Sequence, residues 1–113
     1  NDIYGRDLKY LSEQQITKKV RARYFKATTN IKNLDKRLIE FQKSKEVTSV
    51  FLGNDYSIGV IKEFDDKYIL LHNYAYIGLE DGFTLIEKYK VTKIRFKGPV
   101  EIKVATLKEF KNE

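Results

Sequence analysis

Between Glu13 and Asp35 the chain has no acidic residue, and in that window it carries Lys18, Lys19, Arg21, Arg23, Lys26 and Lys32 with Tyr24 and Phe25 interleaved. Phosphate backbones are held by ammonium point charges and guanidinium forks, and unstacked bases lie on aromatic planes. The segment supplies both, so contact with single-stranded nucleic acid is one expectation for it. The other is a solvated helix face whose two rings dock on the rest of the domain.

Catalytic chemistry has much less to work with. The single histidine, His72, lies in the apolar run Ile69–Asn73, where a lone imidazole is expected to be structural. There is no Cys, which removes disulfides, thiolate zinc sites and thiol nucleophiles together and suits a reducing, cytoplasmic setting. Asp65 and Asp66 are adjacent carboxylates, but they fall where a tight turn is expected, and Asp favours turns for backbone reasons. No Gly-rich loop opens a helix to cradle phosphates. The expectation is a protein that is not an enzyme, with no cofactor and no metal.

The elements that must position these residues change character near Val47. Ser12 with Gln15 three residues on reads as a capping box, so residues 1–32 are expected to form a basic N-terminal extension, helical at least in part. The stretch from Ile16 to Phe25 also fits a strand with Ile16, Val20, Ala22 and Tyr24 on one face. Leu34, Leu38 and Phe41 fall at i, i+4 and i+7, so a helix is expected from a cap at Asn33 to about Lys45. Beyond Val47, β-branched and aromatic residues dominate and turn signals recur every 8–12 residues. Strands are expected at about 46–52, 57–64, 67–73, 82–88, 91–96 and 99–106, with turns at Gly53-Asn54-Asp55, Asp65-Asp66 and Glu80-Asp81-Gly82. Gly59, inside a strand pattern, marks a bend or a close backbone approach. Short, sharply turned strands favour closure into a small antiparallel barrel. The fold class is therefore mainly β with a leading helix (α+β), residues 33–113 forming one barrel domain with an extra C-terminal strand.

Composition agrees with a single basic domain. The 113 residues carry 22 Lys and Arg against 16 Asp and Glu, a net charge of +6, and 42% of them are hydrophobic. That is enough apolar surface for one core, and no run approaches the ~20 residues that span a bilayer, so no membrane partner is expected. The chain has no Met, so Asn1 is not expected to be the native start. The eight strand aromatics Phe51, Tyr56, Phe64, Tyr68, Tyr74, Tyr76, Phe83 and Tyr89 are more than a small core needs, so two or three are expected at a binding surface.

Three motifs in this stretch resemble the Sm-like superfamily, and within it the bacterial Hfq family of RNA chaperones. Arg37–Val47 followed by Val50–Asn54 looks like the leading helix with its basic exit into the first strand. Ile58–Asp65 looks like the Sm1 signature, in which a glycine lets the strand bend and Phe-Asp ends it. Ile86–Ile94 looks like the Sm2 segment. The likeness covers residues 34–96, about half the chain. It implies a helix on a five-stranded bent barrel, edge-strand pairing of subunits into a homo-oligomeric ring, and single-stranded RNA bound on the ring's faces. It implies positions too. Lys88 and Tyr89 would lie at a uridine pocket, Tyr89 standing where the family has histidine. Phe51 would lie on the opposite, adenine-stacking face, and Lys43 and Lys45 on the outer rim. Lys67, with Tyr68 adjacent, takes the place of a base-stacking aromatic. The function expected from residues and resemblance together is single-stranded RNA binding, possible for DNA as well. The alternative from another class is a protein-interaction module built on an SH3-like barrel.

Overall fold

A computed structural model of the chain describes residues 22–26 and 31–111. Among the described residues six strands and two helices follow one another: β1 (Arg23–Lys26), α1 (Ile31–Ser44), β2 (Val47–Leu52), β3 (Asp55–Phe64), β4 (Tyr68–Tyr74), β5 (Glu80–Glu87), β6 (Lys93–Phe96) and α2 (Pro99–Lys111), with a 3-10 turn at Lys88–Lys90 before β6. The helix expected from Ser12 falls outside the described residues. Arg23–Lys26, inside the basic window, is a strand.

All strands join one antiparallel sheet in the order β1-β6-β2-β3-β4-β5, and no hydrogen-bonded ladder returns from β5 to β1 among the described residues. Period-2 alternation divides its side chains between two faces. One face packs Val50, Ile61, Ile69, Leu71, Ile86, Ile94 and Phe96 against Leu34, Leu38 and Phe41 of α1. The stripe read from the sequence is thus the buried face of that helix. The helix starts two residues before Asn33, which lies inside it, and ends where Lys45 turns into the left-handed region at φ 54°. On the other face Val104 of α2 packs with Val47, Ile58 and Tyr74.

Gly59 makes the close approach expected of it. It pairs with Thr48 on one side and Asn73 on the other, and a β-carbon there would collide with the His72 carbonyl oxygen. Two residues on, a bulge between Ile61 and Glu63 bends β3 and resets its alternation, so that Phe64 packs against the α1 core.

The C-terminal segment corrects the sequence reading. Residues 99–106 are not an extra strand but part of α2. The alternation of Val100, Ile102 and Val104 suggests a strand, yet Val100 and Val104 are also i and i+4. Pro99 at the first helical position and Glu101 at the third decide the outcome. The Glu101 Oε1 accepts the Gly98 N–H at 3.2 Å, the reciprocal half of a capping box. The additional strand of the sheet comes instead from the N-terminal side. β1 pairs with β6 over Arg23↔Phe96 to Lys26↔Lys93 and covers that edge.

Candidate nucleic-acid interface

β6 reads Lys93-Ile94-Arg95-Phe96, so its apolar residues enter the α1 core and its two cations face the opposite side. The register places them among aromatic rings. Lys93 pairs with Phe51, Phe51 with Tyr56, and Arg95 with Tyr24. The Lys93 ammonium lies 4.5 Å from the Phe51 ring centre and 5.0 Å from that of Tyr24. The Arg95 guanidinium lies 5.1 Å from Phe51 and 5.2 Å from Tyr56. Phe51 and Tyr56 stack at 4.8 Å, and the hydroxyls of Tyr56 and Tyr76 share a 2.5 Å hydrogen bond. The two cations of β6 thus lie between a ring on β1 and the stacked rings of β2 and β3, a row spanning three interstrand steps of ~4.8 Å each. All the cation–ring separations lie within the ~6 Å over which the ring quadrupole attracts a charge.

Arg95 is held from below. Its Nε donates to Glu101 Oε2 at 2.9 Å, the same oxygen accepts from Ser49 Oγ at 2.7 Å, and Arg95 Nη2 reaches Ser49 Oγ at 3.4 Å. Burial pushes the guanidinium toward losing its charge, but the Glu101 carboxylate and the Tyr56 and Tyr24 hydroxyls more than reverse this, so its pKa rises. Arg95 is therefore a fixed cation. Tyr76 titrates above its ordinary range, first because of its hydrogen bond to Tyr56 and then because of desolvation, so its phenol stays neutral at physiological pH.

The residues expected to bind nucleic acid scatter around this row. Lys18, Lys19 and Arg21 lie outside the described residues. Arg23 is exposed on β1 and, with Tyr24, Arg37 and Lys97, lines a cleft between β1 and α1. Lys26 ends β1, in register with Lys93. Lys43 and Lys45 are exposed at the exit of α1. Phe51 is on the α2 side of the sheet, but only 8% of it is exposed. It serves as the floor under Lys93 and Arg95 and is not an open stacking plate.

Lys88 departs furthest from expectation. It is 6% exposed, and its ammonium donates to Asp35 Oδ1 and, at 2.8 Å, to the Asp65 carbonyl. It ties α1 to the β3–β4 turn and has no reach toward a base. Tyr89 beside it is 80% exposed, with its hydroxyl bonded to the Glu87 carboxylate, which raises the phenol's pKa and lowers the acid's. Lys67 and Tyr68 are exposed at the start of β4. Tyr68 and Tyr89 thus form a second, smaller aromatic spot apart from the row on β6.

Asp65 is a turn residue, as expected. Its Oδ1 accepts the N–H groups of Lys67 and Tyr68 at 2.8 and 2.7 Å, which hold its carboxyl below its ordinary pKa. His72 stacks on Phe83 at 4.6 Å and sits 3.6 Å from Glu80. Among the described residues no group of three His, Cys, Asp or Glu is placed to hold a metal ion. No described helix is long and apolar enough to cross a membrane. No protein-family model matches the chain, and no curated protein matches it.

Sequence reasoning missed Lys93, Arg95 and Glu101. The signal for the first two was present, since a two-residue period through Ile94 and Phe96 already sends Lys93 and Arg95 to one face.

Proposed function

We propose that the protein binds single-stranded RNA, or single-stranded DNA, on the sheet face that carries Tyr24, Lys93, Arg95 and Tyr56, with its strands folded as a small Sm-like barrel. The observation that carries this reading is a row across four strands in which Lys93 and the anchored Arg95 of β6 lie between Tyr24 on one side and Phe51 and Tyr56 on the other. Stacking on Tyr24 and Tyr56 would hold unpaired bases, while Lys93 and Arg95 meet phosphates. The exposed Tyr24, Tyr56 and Tyr76 exceed what the core needs and share this face. Nucleobase selectivity in this reading comes from stacking, and a homo-oligomer presents several such faces to one strand.

The experiment is a salt titration of binding to labelled U-rich, A-rich and mixed single strands, in RNA and DNA form. Binding should weaken as salt rises, with a log–log slope of about −0.7 per phosphate contact. Tyr24→Ala and Tyr56→Ala should each weaken binding about tenfold, within the ~1–3 kcal/mol of one stacked base. Lys93→Ala should flatten the salt slope by about 0.7. Absence of binding at low salt would remove nucleic acid from the account.

A protein-interaction module is the second reading. It is favoured by a different place in the molecule, the exposed and acidic β5 edge.

A further inference from the structure

The ladder between β3 and β4 stops short of the ends of both strands. Its last pair is Gly59↔Asn73. Beyond that pair, among the described residues, Tyr56, Ser57 and Ile58 are in register with β2 alone. On the other side the chain leaves β4 after Tyr74 and enters a loop, which the Ala75 N–H closes on the Leu79 carbonyl at 2.9 Å. A cleft of about 300 Å³ opens here, and its lining includes Tyr56, Ser57, Asn73, Tyr74, Tyr76 and Asp81. That is the small end of the range for ligand pockets. Its outer wall is held in place. Gly78 of the loop lies so close to α2 that a β-carbon there would meet the backbone of Leu107 and Lys108. Tyr76 from that loop and Tyr56 from β3 join hydroxyls.

The polar groups of this cleft mostly accept. Asp81 is exposed, and an ionised carboxylate has no proton to give. Asn73 donates through its amide nitrogen to Thr84 Oγ1, and its Oδ1 is a buried acceptor with no partner among the described residues. The hydroxyls of Ser57, Tyr56 and Tyr76 serve either way. The charge around the cleft narrows the choice of occupant. A phosphate is repelled by Asp81. A cation is opposed by two that already sit on the rings, the Arg95 guanidinium 5.2 Å from the Tyr56 ring centre and the Lys108 ammonium 5.3 Å from that of Tyr74. A flat, neutral group with donors along one edge meets all of these conditions. We propose that the occupant is a guanine base. Guanine alone among the RNA bases presents two adjacent donors, N1–H and N2–H, on its Watson–Crick edge, and two parallel donors are what the two oxygens of a carboxylate accept. Uracil, cytosine and adenine each set an acceptor beside their donor. The proposal rests on the nucleic-acid reading and deepens it. Tyr56 belongs both to the row and to the cleft, so a strand with phosphates at Lys93 and Arg95 turns a neighbouring base toward Asp81.

The test is fluorescence anisotropy with short labelled RNA strands of A that differ at one central position, which is A, U, guanine or inosine. Inosine keeps N1–H and lacks the N2 amine. The guanine strand should bind about tenfold or more tighter than the all-A strand, the discrimination of one good bidentate pair. Inosine should fall between them. Asp81→Ala should abolish the preference, while the all-A strand binds no more weakly than before. Binding of that strand also reports that the variant is folded. Removing a negative charge strengthens every strand alike, so the ratio of affinities isolates the contact with the base. Strands that all bind with equal affinity would overturn the guanine pocket and leave the nucleic-acid reading standing. A guanine preference that survives in Asp81→Ala, or an inosine strand that binds as tightly as the guanine strand, would overturn it too. If no strand binds at low salt, both readings fall together.

Discussion

Glu101 is a buried carboxylate on a protein with excess positive charge, and it accounts for where Arg95 points. Its side chain is almost fully enclosed, and its oxygens take hydrogen bonds from Ser49, Arg95 and the Gly98 N–H. A buried ion pair is seldom a net gain over apolar packing, but removing one member leaves the other stranded. Glu101→Ala should therefore cost about 3 kcal/mol, because it leaves a half-buried guanidinium and a helix N-terminus unpartnered. Glu101→Gln keeps one acceptor oxygen for the Gly98 N–H, and its amide NH2 can donate to the Ser49 hydroxyl, so it should cost less. Urea denaturation reads both. A loss below about 1 kcal/mol for the alanine variant would mean that apolar packing through Val104, not this network, holds α2 on the sheet. Lys88 shows the same logic with the opposite sign. A lysine in a motif that resembles a binding signature is enclosed here by Asp35 and the Asp65 carbonyl, so its charge is spent inside the fold.

At the scale of elements, β3 depends on one residue without a side chain. Gly59 lies between β2 and β4, and an added β-carbon would meet backbone atoms of His72 and Asn73, which cannot rotate away. Gly59→Ala should force β3 and β4 apart and destabilise the domain by ~3 kcal/mol or more, at the upper end of overpacking costs. A thermal melt checks this, and an unchanged melting temperature would mean that the strands have room to separate. Gly59 was legible because a glycine weakens a strand and is kept inside one where a side chain has no room. The α1 stripe was legible because Leu34, Leu38 and Phe41 fit only a helical period. The turn at Asp65 was legible from side-chain chemistry. α2 was not, because Val100, Ile102 and Val104 satisfy a two-residue period, and the local cues that overrule it (Pro99 and Glu101) need the helix cap to be weighed against the pattern. β1 was ambiguous for a different reason. Four residues make too short a sample for either period, and what fixes them as a strand is the free edge of β6, which lies far along the chain. The candidate row across β6 was legible only in parts. Its aromatics stood out by number, but Lys93 and Arg95 gained meaning only when the register set them beside Phe51, Tyr56 and Tyr24.

Across the whole molecule, charge and shape divide the labour. The proposed binding face takes its cations from β6, while β5, at the far end of the sheet, carries Glu80, Asp81 and Glu87 and no Lys or Arg. Repulsion between a phosphate backbone and the β5 edge then confines a strand to the β1 side of the sheet, and the sequence that leads into β1 carries Lys18, Lys19 and Arg21. If that segment adds phosphate contacts, neutralising it should weaken binding equally for every sequence, because backbone contacts carry no base information. The triple variant Lys18→Ala/Lys19→Ala/Arg21→Ala should flatten the log–log salt slope by up to about 2, three contacts at ~0.7 each. It should leave the ratio of U-rich to A-rich affinity unchanged. Tyr56→Ala should do the reverse, altering the ratio while leaving the slope alone. A triple variant with the wild-type slope would place all of the electrostatic contact on the folded face, and a triple variant that changes the base ratio would mean that the segment touches bases and not only phosphates.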